Sequence, residues 1–402
     1  MTDNPNVIDG QADYSYTLGV NDFQMSSLLE RDVDDLYELV RRKSQIRCNW
    51  QPSSTIATAY DEMALVDPGI FVNTDTSDET IGTYMRPPIV SYFSHMFDYW
   101  CGEMEICVEV VASPLVKGRI GVVILPPGAP KATSFPTNGK YKTTIIEVCG
   151  TTCTDIVVPY NYKEFVTTVD WLPCAPSIPY LTHTRVQYFW LQAPVGWGGG
   201  SLPKVNLYLG AGKDFSLAVP TLFDLNTCDI KFQGAAKAKV AKVYGEDVVS
   251  LHALAKRRTF YRTYGTPVGG AEFPLFDNDP VNPGDHVVPF YRWISACFLK
   301  VRGSVVWYVQ PTHDTVVVYE SRQSVLDRSE SARGSLIISS DGGEVRIPYR
   351  GTGEFFFGFS NTGLHTLNIE APDNAVVSLA TGAADDFSFS IFLSTPLLEV
   401  RT

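Results

Sequence analysis

One short segment occurs twice in this chain. SLHALAKRRTFYR (residues 250–262) aligns without a gap on DLYELVRRKSQIR (35–47), setting Leu251 on Leu36, Leu254 on Leu39, Arg257 on Arg42 and Arg262 on Arg47. Three further landmarks recur in the same order. FYRWISACFLKVRGSVVWYV (290–309) is a weaker copy of the aromatic stretch that opens residues 92–128, with Val301-Arg302-Gly303 against Trp100-Cys101-Gly102. EVRIPY (344–349) matches DIVVPY (155–160), and each is followed, after a short gap, by Glu-Phe. LATGAADDFSFSIFLSTPLL (379–398) matches LYLGAGKDFSLAVPTLF (207–223). Four landmarks in one order mark an internal duplication, so the chain must fold into two similar units, the second with shorter loops.

The pattern inside each unit is that of β-structure. Glu103, Glu105 and Glu109 fall on one face of a run whose other face carries Met104, Ile106 and Val108, the alternation of a half-buried strand. Residues 119–125 (RIGVVIL) are a more continuously apolar run, as in a strand covered on both faces, and Pro126-Pro127-Gly128 stops it. Strands are expected at 143–150, 155–162, 185–192, 204–210 and 214–219 in the first unit, and around 315–319 and 334–339 in the second. Asp34-Asp35 ahead of LYELV, with Arg41, Arg42 and Lys43 behind it, predicts a short helix with charges suited to both ends. The division that follows is an arm over 1–31, a first domain over 32–222, an Ala/Lys-rich linker over 223–249 and a second domain over 250–402.

Composition agrees. Of 402 residues 12% are aromatic, 31 are Gly and 26 are Pro, which suits all-β domains with long loops. The charged fraction of 19% lies below the roughly 25% of an average soluble domain, as expected either for a surface buried against other subunits or for a large domain with a favourable surface-to-volume ratio. A net charge of −12 argues against a chain whose main task is gripping nucleic-acid phosphates. The N-terminal residues lack the basic and apolar regions of a signal peptide, and no run reaches the roughly 18 apolar residues of a membrane helix. The eight cysteines suggest free, buried thiols in a reducing compartment, and no stable membrane association is expected.

With these landmarks in hand, the chain resembles the jelly-roll capsid proteins of picorna-like positive-strand RNA viruses, nearest to the dicistrovirus, iflavirus and marnavirus groups. The resemblance rests on GEDVVSLHALAKR (245–257), on the aromatic stretch followed by ASP…KGR…PPG, and on the G-A-x-x-D-F-S strand, and it covers about residues 32–400. It implies two tandem eight-stranded antiparallel jelly-roll β-sandwiches. It implies a structural role in an icosahedral shell that encloses genomic RNA, with other capsid chains as partners, assembly in the host cytoplasm and final residence in the virion. A host receptor is implied but not identified. The alternative is a non-viral double jelly-roll carbohydrate-binding protein.

Enzyme chemistry finds little support. Gly210-Ala211-Gly212-Lys213 lacks the spacing and the Ser/Thr of a phosphate-binding loop, and the six histidines form no metal or triad pattern. Cys149 and Cys153 are a C-x-x-x-C pair without a second pair or a nearby His, so neither a metal nor a cofactor is expected. Asp385-Asp386-Phe387 is the one catalytic candidate. Some insect-infecting members of the resembled group carry Asp-Asp-Phe at this place, where it is proposed to promote a maturation cleavage, and a carboxylate there would serve as general base. Gln233-Gly234 resembles the sites cut by the group's cysteine protease. Arg41, Arg42, Lys43 and Arg47, with Lys256, Arg257, Arg258 and Arg262, precede the first strand of each unit and are candidates for sequence-independent RNA contact; a solvated helix end is the plainer alternative.

Overall fold

The structure is a computed structural model that describes residues 34–50, 60–68, 70–71, 84–85, 87–169, 172–173, 183–196, 203–221, 248–265, 271–274, 288–312, 315–321, 335–347, 356–357, 366–370, 375–395 and 398–399. The expected arm (1–31) and the Gln233-Gly234 bond lie outside the described residues.

Each unit begins with a one-turn helix. In α1 (Leu36–Val40) the Asp35 side chain accepts the backbone N–H groups of Tyr37 and Glu38, and Leu36, Leu39 and Val40 are buried on one face. Its copy, α3 (Leu251–Ala255), is capped by Ser250, which accepts from the Ala253 N–H, and buries Leu251, Leu254 and Ala255. A second short helix follows a proline in each unit: α2 (Ile89–Ser94) after Pro88 and α4 (Phe290–Ser295) after Pro289.

The first unit then provides, in chain order, β1 (Ser44–Trp50), β2 (Tyr60–Leu65), β3 (Phe97–Cys101), β4 (Met104–Val111), β5 (Val116–Leu125), β6 (Lys142–Cys149), β7 (Thr152–Val158), β8 (Arg185–Gly196), β9 (Lys204–Ala211) and β10 (Ser216–Pro220). The second provides β11 (Thr259–Gly265), β12 (Ala271–Pro274), β13 (Phe298–Arg302), β14 (Val305–Pro311), β15 (Val316–Ser321), β16 (Ser335–Ile338), β17 (Gly343–Ile347), β18 (Thr366–Glu370), β19 (Val376–Ala383) and β20 (Ser388–Phe392). Two four-stranded antiparallel sheets form in the first unit, β1-β9-β4-β7 and β2-β8-β5-β6. The second repeats them as β11-β19-β14-β17 and β12-β18-β15-β16. Setting aside β3, β10, β13 and β20, the eight strands of each unit stand in the order 1-8-3-6 and 2-7-4-5. That is the jelly-roll arrangement, so the all-β tandem expectation is met twice over. The four strands set aside pair as β3–β10 and β13–β20, one small sheet per unit.

Between the two sheets of the first unit lie Ile106, Val108 and Val110 of β4, Ile120, Val122 and Ile124 of β5, and Tyr188 and Trp190 of β8. In the second unit Trp307 and Val309 meet Val316, Val318, Leu367 and Ile369. Both sets belong to one continuous buried cluster that runs through the short helices. The apolar run over 120–125 has a specific cause. Its outer residues Val123 and Leu125 form a second small core with Ala129 and Phe189, and Ala132, Phe135 and Tyr141 pack on it. The long loop after Gly128 is therefore a cover over β5. Gln187 pins it, accepting from the Ala132 N–H (3.1 Å) and donating to the Ala132 carbonyl (2.8 Å). Gly121 is required beneath it, since a Cβ there would come within 2.5 Å of the Phe135 ring. Among the described residues no helix is long and apolar enough to cross a membrane.

Candidate functional site

The two units meet through equivalent residues. The helix copies are displaced by 215 positions (Leu36 and Leu251) and the aromatic segments by 201 (Gly102 and Gly303), and these offsets order the contacts across the junction. The Leu36 N–H donates to the Val249 carbonyl, and the Leu251 N–H donates to the Asp34 carbonyl, both at 2.8 Å. Asp34 and Val249 are themselves equivalents, so the pair of bonds is reciprocal. Tyr92 and Trp293 are equivalent as well. Their rings stack on each other with centroids 4.4 Å apart and planes 8° from parallel. The Tyr92 hydroxyl donates to the Trp293 carbonyl (2.8 Å) and the Trp293 indole N–H donates to the Tyr92 carbonyl (3.1 Å). A contact in which i meets j′ and j meets i′ is the signature of a two-fold axis. The units therefore form an internal dimer about an approximate two-fold, and the Tyr92–Trp293 stack sits on it.

Polar contacts surround this centre without strict symmetry. One Asp34 carboxylate oxygen accepts from the Ser250 hydroxyl (2.7 Å), the His252 backbone N–H (2.9 Å) and His252 Nδ1 (2.7 Å). Burial works to raise the Asp34 pKa, but these hydrogen bonds and the imidazole charge together hold it below the ordinary value of 3.8. The Thr395 hydroxyl donates to the Pro87 carbonyl, and Tyr84–Met85 pairs antiparallel with Leu398–Glu399, tying the end of the second unit to the first. The Arg42 guanidinium lies over the Phe392 ring.

The sequence-selected residues fall in specific places. Asp386 accepts the backbone N–H (3.1 Å) and hydroxyl (2.7 Å) of Ser304 and pairs with Arg346 (2.9 Å); burial opposes, but the Ser304 bonds leave its pKa below the ordinary carboxylate value. Phe387 is core. The first unit makes the same turn without the doubled carboxylate: Asp214 accepts the Glu103 N–H (2.7 Å) and Phe215 is buried. A residue pair present in both units is required by the turn, in which Gly102 and Gly303 hold φ of 98° and 129° and a Cβ at either would come within 2.3 Å of the facing backbone. Asp385 stands outside the turn, 90% exposed and ion-paired to Lys256 at 3.0 Å.

Several of the basic candidates are engaged within the chain. Arg42 pairs with Glu38 (2.8 Å), Lys43 with Asp155 (2.6 Å) and Glu105 (3.2 Å), Lys256 with Asp385, and Arg258 with Glu344. Arg41 donates to the Lys213 carbonyl. The side chains of Arg47 and Arg262 lie outside the described residues. The glycine-rich 210–213 segment is closed by Glu103, whose carboxylate accepts the Lys213 N–H and against which a Cβ on Gly212 would collide. The expectation of uniformly buried thiols is corrected: Cys107 and Cys297 are buried, whereas Cys149 and Cys153 are exposed. Cys153 faces Cys107 and Asp155, not Cys149, because β7 pairs with β4. The Tyr92–Trp293 stack and the Asp34–His252 contact were not legible as partners in sequence; the matched offsets of the duplication were the only available signal.

The fold and this junction define a tandem jelly-roll protein with an internal two-fold. No family model matches the chain, and no curated protein matches it. Among solved structures it is similar to a chain of Sacbrood virus of honeybee (14% identity, 58% of this chain and 86% of that one, TM-score 0.38). It is also similar to a chain of deformed wing virus, a honeybee pathogen (17%, 48% and 56%, TM-score 0.36). A third is a chain of the Israel acute paralysis virus pentamer (17%, 44% and 94%, TM-score 0.34).

Proposed function

We propose that this chain is a structural capsid protein of a non-enveloped positive-strand RNA virus, its two jelly rolls acting as one tile of an icosahedral shell built with other capsid chains. The observation that carries this is the reciprocal junction. A jelly roll that meets a near-copy of itself about a two-fold has a self-complementary face, and such faces are what closed assemblies repeat. The motifs shared with picorna-like capsid proteins support it. So do large apolar side chains that stand in solvent on the single chain, among them Val195, Ile145 and Ile337, which neighbouring tiles would cover. Electron microscopy and sedimentation of the full chain expressed with its companion capsid chain test it. Closed particles are expected; a small soluble oligomer that binds a defined sugar would favour the carbohydrate-binding alternative instead.

Three finer features belong to the same proposal. Domains over 32–222 and 250–402 are joined by a linker over 223–249 with Gln233-Gly234 as its candidate protease site: a cut there gives two virion fragments, whereas a fused two-domain subunit gives one chain of 44.5 kDa. The basic residues before each first strand make weak, salt-dependent contact with packaged RNA, limited by their carboxylate partners. Any carboxylate chemistry in maturation falls to Asp385, since Asp386 is committed to its turn; maturation unaffected in Asp385→Asn would remove that role.

A further inference from the structure

We propose that the outer face of the β1-β9-β4-β7 sheet carries a thiophilic metal site of the zinc class, with Cys107, Cys153 and Asp155 as ligands. The Sγ atoms of Cys107 and Cys153 and a carboxylate oxygen of Asp155 all lie within 4.8 Å of one another. In a tetrahedral site with metal–sulfur bonds of about 2.3 Å, ligand atoms stand about 3.5–4 Å apart, so small side-chain rotations close the set. Two thiolates and one oxygen suit Zn²⁺ over the oxygen-seeking Mg²⁺ and Ca²⁺. Cys153 and Asp155 are exposed, which leaves the fourth position to water.

The ladder explains why these residues converge. Cys107 of β4 stands directly opposite Asp155 of β7, and Cys153 lies two residues further on the same face, opposite Glu109. The thiols are thus diagonal neighbours. At that spacing Cα atoms are about 7–8 Å apart, wider than a disulfide accepts, whereas a bridging metal spans it. Around the three ligands on this face stand Lys43, Glu105, Glu109, Asn206 and Tyr208, with Gln45 opposite Tyr208 and Lys204 further along β9. Glu109 accepts from Asn206 and Tyr208, and Lys43 holds Asp155 and Glu105.

The second unit is an internal control. Arg258 and Glu344 repeat the Lys43–Asp155 pair at equivalent positions, so that ion pair belongs to the fold. The thiols do not recur. Tyr308 stands where Cys107 stands, opposite Glu344, and Gly342 stands where Cys153 stands, under the Tyr308 ring. Only the first unit places two sulfurs beside the shared carboxylate.

The test uses the full chain, purified reduced, stripped of metal and titrated with Zn²⁺ against a chromophoric chelator, then with Co²⁺ as a spectroscopic probe. One equivalent should bind, with thiolate-to-cobalt charge-transfer absorption. Cys107→Ser and Cys153→Ser should each weaken Zn²⁺ binding about 100-fold or more, and Asp155→Asn about 10-fold. Cys149→Ser, at the end of β6, should change nothing. Lys43→Met should tighten binding by releasing the carboxylate. Thermal unfolding of the metal-free variants separates lost ligation from lost folding, and the exposed Cys153→Ser keeps the test valid if the buried Cys107→Ser does not fold. Equal Zn²⁺ affinity in folded Cys153→Ser, or a Co²⁺ spectrum without thiolate absorption, would overturn the proposal.

Discussion

At one surface position the first unit holds two thiols and the second holds a tyrosine ring over a glycine, while the ion pair beside them is the same in both. The contrast recurs across the molecule. Where the backbone leaves no choice, the units agree: Gly102 and Gly303 at positive φ, and Asp214 and Asp386 accepting the next N–H. Val219 and Ile391 agree too. They are β-branched residues held at φ of 58° and 59°, between Ala218 and Pro220 on β10 and between Ser390 and Phe392 on β20, where the pairing with the neighbouring strand skips one residue on each side without changing register. A strained conformation kept at the same place in both copies marks a backbone position that the two closing strands share. Where a side chain merely stands on an outer face, the units have diverged, and there a site specific to one unit can arise.

The sharpest way to break the comparison is at the glycines. Gly102→Ala and Gly303→Ala each combine left-handed strain with backbone overlap, and each should cost about 3–5 kcal/mol in chemical denaturation. Loss in one unit only would show that the turns are not equivalent. Next comes the junction. Trp293→Ala removes the stacked ring and one of two reciprocal bonds, at about 3 kcal/mol. After proteolysis in the linker, that variant should separate into halves on gel filtration while the parent stays associated. A smaller effect is expected at the turn carboxylates: Asp214→Ala and Asp386→Ala should each lose about 1–2 kcal/mol, by similar amounts. A much larger effect on particle maturation than on stability at Asp386 alone would give the second unit a role that the first lacks.

Acid probes the asymmetric rim of the junction. The folded pKa of Asp34 is held below 3.8, so its contribution is present above that value and is lost as pH falls through the lowered one. Because the Asp34 side chain is about half exposed and screened by solvent, the effect is under about 1 kcal/mol, and Asp34→Asn should flatten the pH dependence of half–half association between about pH 5 and 3. Smallest of all, Lys43→Met and Arg258→Met should each change stability by about 0–1 kcal/mol, as exposed pairs do. Unequal values would mean that Glu105, which Lys43 also contacts, matters to the first unit.

Much of the fold was legible because strands announce themselves by alternation and because a duplicated chain annotates itself. The Leu36/Leu251 and Gly102/Gly303 matches identify the helices and turns that the structure contains. Asp386 was legible as special, but its similarity to Asp214 carried the more useful message, that both cap the same turn. The C-x-x-x-C spacing pointed to Cys149 as the partner of Cys153, since closeness along the chain is the only distance a sequence offers. In a β-ladder the near neighbour is set by the register of a different strand, and that register put Cys107 opposite Asp155.

The sequence by itself pointed to a duplication of two similar all-β units, each led by a short helix. These follow from local periodicity, capping and glycine chemistry, which act over a few residues. Only the tertiary structure decided that the order of strands is 1-8-3-6 and 2-7-4-5, that a proline-rich loop serves as the lid of β5, and that Tyr92 lies on Trp293. Those depend on burying the apolar faces of distant segments against one another, and that choice is made by the packing of the whole chain.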